Sequence, residues 1–241
     1  MINRNFFIDW FKKHGRDFPW RHDGVTPFQL LMTELLLRKT TAASVSKIWA
    51  NFFHKYPDAF TLARAKESNL LKQVKILGFG NKKVSALKQA SSWLVKQYQG
   101  RVPEDLEKLL EIPSVGDYAA RAVLCFSFNH RNEIVDNTVQ RFFSRYFGRA
   151  IKADMRRNKW TWETARELLP RNRKTTKLHN YGLLDFIAQV CKAGRPLCEI
   201  CPLNKSCQWG QQQLSKNAAV EASVKYKNEK LAKSMGLTYS P

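Results

Sequence analysis

Acidic side chains are scarce in this sequence. Twenty Asp and Glu stand against 41 Lys and Arg in 241 residues, a formal net charge of +21. A surplus of that size points to a polyanionic partner, nucleic acid or an anionic membrane surface. Long apolar runs are also missing. No stretch approaches the length of a membrane span, and the amphipathic start MINRNFFIDWFKKHGRDF has no apolar block followed by a small-residue cleavage site. The expectation is a soluble, cytoplasmic, nucleoid-associated protein with no membrane partner. Strand signals are nearly absent and no internal repeat is visible, which removes sheet-based and solenoid folds. Cysteine is sparse as well: there are five, and four of them crowd into residues 191–207. A disulfide framework needs an oxidising compartment and usually a smaller chain. The quartet therefore reads as a metal site, and Cys125, in AVLCFSF, as a small buried hydrophobe.

What is there is helix. Hydrophobic residues make up 44% of the chain, enough for a core in one large domain or two smaller ones. Apolar positions recur at helical spacing over 3–13, 27–37, 41–56, 59–65, 67–76, 82–98, 105–112, 117–128, 137–147, 160–169 and 178–190. The segment 149–177 carries ten basic residues against three acidic ones, a solvated face or a phosphate-facing one. From Gly210 onward the chain is polar and Lys-rich, as in a poorly ordered tail or an added helix.

Six segments carry chemistry. In DLEKLLEIPSVGDYAARAVLCFSF, two apolar stripes flank Ile-Pro-Ser-Val-Gly at 112–116. Pro113 ends the first helix, and Gly116 is expected to provide the tight turn into the second. A helix N-terminus at such a turn offers unpaired amides and a positive dipole end to a phosphate. Asp136 opens the helical run 137–147, where an N-cap is the ordinary role for Asp. Glu34 interrupts the otherwise apolar PFQLLMTELLL, where burial would favour a protonated carboxyl able to act as an acid. Two loops stand out, the basic Arg38-Lys39-Thr40-Thr41 and Gly78-Phe79-Gly80-Asn81, which sets an aromatic between glycines with Lys82 and Lys83 behind it. Phe79 reads either as an aromatic wedge or as an inward-tucked cap. The four cysteines are spaced C-x6-C-x2-C-x5-C, unlike the paired CxxC of a zinc ribbon.

Together these segments resemble the helix-hairpin-helix (HhH-GPD) DNA glycosylases of the endonuclease III and MutY superfamily. The usual family hairpin is Leu-Pro-Gly-Val-Gly. Here Ser114 replaces Gly, a change expected to fit if its φ is not strongly positive. The resemblance implies an all-α, two-lobed protein. A six-helix barrel domain (22–131, hairpin 105–128) would stand with an iron–sulfur domain made of 1–21 and 132–209, followed by the polar tail 210–241. The pattern Val-Asp-x-x-Val-x-Arg at Val135–Arg141 is similar to the segment with the family's catalytic aspartate, which makes Asp136 that residue. Breaking a base–sugar bond builds positive charge at C1′, and a carboxylate stabilises it. Tyr118 stands where the lyase branch has the lysine that forms an imine, so base removal without efficient strand cleavage is implied. Glu34 would protonate or hydrogen-bond the departing base. Arg38, Lys39, Thr40, Phe79, Asn81 and Lys82 would enter the minor groove, and Ser114, Val115, Gly116 and Asp117 would hold backbone phosphate. Cys191, Cys198, Cys201 and Cys207 would ligate a [4Fe–4S] cluster, with Lys192 and Arg195 held toward phosphates.

The segments RDFPWR, ELLLRKTTA and VGDYAARAV look closest to thymine-mismatch glycosylases. The implied activity is removal of thymine or uracil opposite guanine, by a monomer acting on double-stranded DNA with a mispaired or damaged base. Two alternatives stand beside it. One is adenine removal from A·G or A·8-oxoguanine, though the short stretch after Cys207 leaves no room for the extra domain such enzymes usually carry. The other is a non-catalytic DNA-binding iron–sulfur protein, against which the retention of Glu34 and Asp136 argues.

Overall fold

The structure is a computed structural model that describes residues 2–151, 154, 158–215 and 230. Among these residues there is no β-strand. The helices are α1 (Phe6–His14), α2 (Pro27–Leu37), α3 (Ala42–Lys55), α4 (Ala59–Arg64), α5 (Glu67–Val74), α6 (Gly80–Tyr98), α7 (Leu106–Glu111), α8 (Asp117–Phe128), α9 (Asn137–Phe147), α10 (Lys159–Leu168) and α11 (Arg173–Gln189). A further helix covers 208–215. The expected all-α class is what the chain adopts.

Local chemistry sets most boundaries. Thr26 Oγ1 accepts from Gln29 N at 3.1 Å while Thr26 N donates to Gln29 Oε1 at 2.9 Å, and Pro27 fills the first helical position of α2. Asp58 and Asp105 cap α4 and α7 in the simpler way, at 2.8 and 2.9 Å. Helix α11 begins five residues earlier than periodicity suggests. Its first turn, RKTTK, has no apolar stripe to read, and Asn172 Oδ1 sets the start by accepting from Lys174 N at 2.9 Å.

Packing divides the chain into two compact units. The first is Arg4–Ile134 with Ala165–Gly182, and the second is Met1–Asn3, Val135–Thr164 and everything from Leu183. The sequence groups 1–21 with 132–209, whereas packing places 4–21 and 165–182 with the hairpin. The reason is visible in the rings: Phe7 meets His179 edge-on at 5.3 Å, and Phe11 stacks on Tyr181 at 5.6 Å.

The core of the first unit is built around α2, in which every residue from Leu30 to Leu36 is buried. Helices α3, α6 and α8 pack against it. A helix that is apolar on all sides needs such enclosure. Ala119, Ala120 and Ala122 keep the buried face of α8 shallow. The polar Thr33 is satisfied, since its Oγ1 donates to Gln29 O at 2.7 Å and accepts from Trp49 Nε1 at 2.8 Å. In the second unit, Val139, Phe142, Phe143 and Tyr146 form the buried stripe of α9, and Phe142 meets Phe186 at 5.6 Å.

Gly182 fixes how closely α1 lies on α11. A Cβ there would stand 1.8 Å from the Phe7 carbonyl oxygen. Gly182→Ala is therefore expected to cost about 2 kcal/mol or more of unfolding free energy, as overpacking against backbone does. Chemical denaturation measures this, and an unchanged midpoint would contradict the packing.

Candidate nucleic-acid interface and active site

The hairpin turn closes through Val115 N, which donates to Ile112 O at 3.0 Å, with Ser114 at φ +70°. Proline second and a left-handed residue third is the type II pattern. This corrects the sequence reading twice. Ser114 does take the left-handed conformation, at a cost of about 1 kcal/mol for a side chain with a Cβ. Gly116, expected to make the turn, has φ −113° and ψ 177°, extended backbone open to any residue. A Cβ at 116 would meet nothing within 4 Å, so the position faces open space. No side chain caps the first turn of α8, so its leading amides, including that of Asp117, suit an external anion. Val115 is tucked into the core, while Ser114 and Gly116 are exposed.

The two candidate loops meet each other and the hairpin. Thr40 Oγ1 donates to Leu77 O at 3.1 Å, Lys39 Nζ lies 5.5 Å from the centre of the Phe79 ring, and Arg38 Nη1 donates to Ser114 O at 3.2 Å. Lys39 and Phe79 both sit at left-handed φ, 54° and 53°, a costly conformation for long and aromatic side chains. Phe79 is 55% exposed, which excludes the inward-tucked reading. Ile76, three residues before it, is 69% exposed. Sequence reasoning missed Ile76 because it reads as the apolar end of α5. Helix α6 starts at Gly80, two residues before the expected 82, so Asn81 belongs to its first turn rather than to a loop. Arg38, Lys39, Phe79, Asn81, Lys82 and Ser114 border one open cavity of about 510 Å³.

Glu34 is 6% exposed on α2, and Tyr118 is half-buried on α8 with its ring against the core. Their helices pack on each other. The first unit thus holds Glu34, Tyr118, the hairpin and both loops.

Asp136, in the second unit, caps α9. Its Oδ1 accepts from Thr138 N at 2.9 Å, Thr138 Oγ1 at 2.7 Å and Val139 N at 2.8 Å. All three bonds converge on one oxygen, and among the described residues Oδ2 receives none. The carboxylate is locked by one edge and offers the other. Thr138, an unassigned position in the sequence pattern, is a second holder of that group, and only the coordinates reveal its hydroxyl bond.

Cys191, Cys198, Cys201 and Cys207 line one cavity with Arg145 and Trp209. Among the described residues, no three metal-binding side chains close tightly enough to grip a single ion. Hydrogen-bond donors face the sulfurs: Gly210 N reaches Cys207 Sγ at 3.3 Å, and Arg145 Nη1 reaches Cys191 Sγ at 3.6 Å. Burial, then the neighbouring thiols, push Cys198 up; burial likewise pushes Cys201 up to about 11 and raises Cys207. Lys192 and Arg195 are exposed.

The basic run 149–177 divides. Arg166 Nη2 donates to buried Glu133 Oε1 at 2.8 Å beside Arg121 at 3.1 Å, a structural clamp, and Arg149 stacks over Trp160 at 4.8 Å. Lys152, Arg156 and Arg157 lie outside the described residues, as does most of the tail, 216–229 and 231–241.

Comparison with known proteins finds relatives over most of the chain. The family model described as HhH-GPD superfamily base excision DNA repair protein matches residues 32–167. A thymine/uracil-DNA glycosylase of Methanothermobacter thermautotrophicus is 37% identical over 194 residues, 80% of this chain and 86% of that protein. A thymine-DNA glycosylase of Aeropyrum pernix is 34% identical over 206 residues, 85% of this chain and 92% of that one. The solved structure of a thermostable thymine-DNA glycosylase superposes with a TM-score of 0.80 at 34% identity, covering 87% of this chain and 95% of that chain.

The hairpin geometry makes its own prediction. Ser114→Gly should raise stability by about 1 kcal/mol by relieving the left-handed φ, measured by thermal denaturation. A loss of stability would show that the Ser114 side chain supports the turn.

Proposed function

The chain belongs to the HhH-GPD superfamily of base excision DNA repair proteins, and from that premise we propose that it is a monofunctional DNA glycosylase removing thymine or uracil opposite guanine. The observation that carries this reading is the Asp136 carboxylate. One oxygen is fixed by two amides and a hydroxyl, and among the described residues no hydrogen bond reaches the other. The similarity to thymine and uracil glycosylases over most of their length supports the choice of base.

The chemistry follows from the groups available. An extruded nucleotide loses its base through a transition state with oxocarbenium-like charge at C1′. A carboxylate that cannot rotate away stabilises that charge without reorganising, and its second oxygen can orient the attacking water. Glu34, in an apolar helix, is assigned to the departing base, as a hydrogen-bond donor to the oxygen that gathers negative charge. Tyr118 offers no amine, so no imine with the opened sugar forms through it, and the product is an intact strand with an abasic site. Uncapped amides of α8 and the Lys and Arg side chains of the two loops hold the phosphates. Phe79 fills the gap left in the stack.

The four thiols fit a [4Fe–4S] cluster: they line one cavity and are spaced C-x6-C-x2-C-x5-C, unlike the paired CxxC of a zinc ribbon. Amide and guanidinium donors toward sulfur are what such clusters use. Its contribution here is structural: ligation would tie four points of the 191–207 loop and present Lys192 and Arg195.

Alkali treatment after incubation with duplexes holding G·T, G·U, A·G and A·8-oxoguanine pairs should give cleavage only for the first two. Asp136→Asn should lower that product at least about a thousandfold with binding retained. Borohydride should trap no protein–DNA adduct. Adenine excision, or an active Asp136→Asn variant, would overturn the reading. Separately, the purified protein should contain iron and acid-labile sulfide with broad visible charge-transfer absorption, and Cys198→Ala should lose most of both. Stoichiometric zinc in place of iron would refute the cluster.

A further inference from the structure

Helix α2 ends in an unusual way. Its last turn contains no basic residue, yet a helix leaves its final carbonyls unpaired and its C-terminal end negative. The missing cation comes from α6. Lys83 Nζ donates to Leu36 O at 2.7 Å and to Arg38 O at 2.7 Å, and the residue is only 4% exposed. The same helix repeats the device one turn and a half later, where Lys88 Nζ donates to Ala63 O and Ala65 O at 2.6 and 2.7 Å, closing the end of α4.

The two lysines differ in what they hold. Lys88 closes a plain helix end. Lys83 grips the residue from which the Arg38–Thr41 loop departs, and it lies four residues after Phe79 on the other loop. With Thr40 bonded to Leu77 O and Lys39 over the Phe79 ring, the buried ammonium sits at the root of both loops. Lys39 and Phe79 are left-handed residues with side chains, conformations that persist only where the surroundings over-determine them.

We infer that Lys83 is a positioning residue that binds the two DNA-facing loops into one rigid wedge, so that Phe79 can enter a base stack without first being ordered. This rests on the glycosylase reading only in taking mispaired DNA as the ligand. A nucleophilic role is excluded by geometry, since Nζ is buried and engaged by two carbonyls. Burial, then the Arg38 guanidinium, push its ammonium down to about 8, the strain expected of a buried cation with only backbone partners.

The test uses the full chain and a duplex with 2-aminopurine next to a G·U pair, whose fluorescence rises when the neighbouring base unstacks. Phe79→Ala should abolish most of the rise. Lys83→Met should cut it about fivefold or more, while affinity for a fully paired duplex changes less than about twofold. The double variant should be no worse than the poorer single one, because both act through the same wedge. Lys83→Arg, which can donate to both carbonyls, should restore most of the signal. Should Lys83→Met fail to fold, Lys83→Gln, which loses the charge and keeps two N–H donors, is expected to show the smaller defect of the same kind. Normal unstacking by Lys83→Met, or by Lys83→Gln where it is used instead, additive losses in the double variant, or no rise with the parent protein would each overturn the inference. Unstacking needs no bond cleavage, so a chain that wedges normally yet removes no base would sink the functional reading and leave this one standing.

Discussion

The chemistry assigned to this protein depends on a single hydrogen-bonding constraint, the attachment of Asp136 Oδ1 to the start of α9. A free aspartate on a loop samples several rotamers and must be ordered before it can act. Here two amides and the Thr138 hydroxyl remove that freedom during folding. The N-cap and the proposed active-site carboxylate are one group, so the free energy that starts the helix would also orient the catalyst. The apolar stripe of α9 then holds the helix in place through Phe142, Phe143 and Tyr146.

The other half of the machinery relies on burial. Helix α2 is enclosed along seven successive residues, which makes it a stiff rod on which Glu34 and the loop beginning at Arg38 are mounted. Stiffness has a cost at the helix end, where carbonyls would otherwise face protein without partners, and the Lys83 ammonium offsets it. Three of the five left-handed residues with a Cβ among the described residues, Lys39, Phe79 and Ser114, lie at the proposed DNA-facing surface, while Gln99 and Asn129 follow the ends of α6 and α8.

Much of this was legible in the sequence. Helices α2, α8 and α9 are bounded by a Thr-Pro start, a Pro-x-x-Gly turn and an Asp cap, and each falls where those signals place it. The cysteine spacing and the lone carboxylate among leucines were equally visible. What escaped detection had no signature in residue type. The exchange of roles between Ser114 and Gly116 is a matter of backbone angle, and glycine looks like the natural left-handed residue until φ is measured. Ile76 differs from its buried neighbours only in direction. The early start of α11 carries no apolar periodicity because its first turn is polar. The joining of 4–21 to 165–182 depends on ring contacts between segments far apart in sequence, such as Phe7 with His179.

That last arrangement has a consequence for how the chain is made. The hairpin-bearing unit takes one stretch from residues 4–134 and another from 165–182, with the Asp136 segment emerging between them. During synthesis, which proceeds from the N-terminus, the first stretch leaves the ribosome without the helix that covers α1. Phe7 and Phe11 wait for His179 and Tyr181, so this unit is completed only after the Asp136 segment has been translated. The nascent protein would therefore expose an aromatic face for most of its elongation, and a truncated chain ending before residue 165 would keep it exposed.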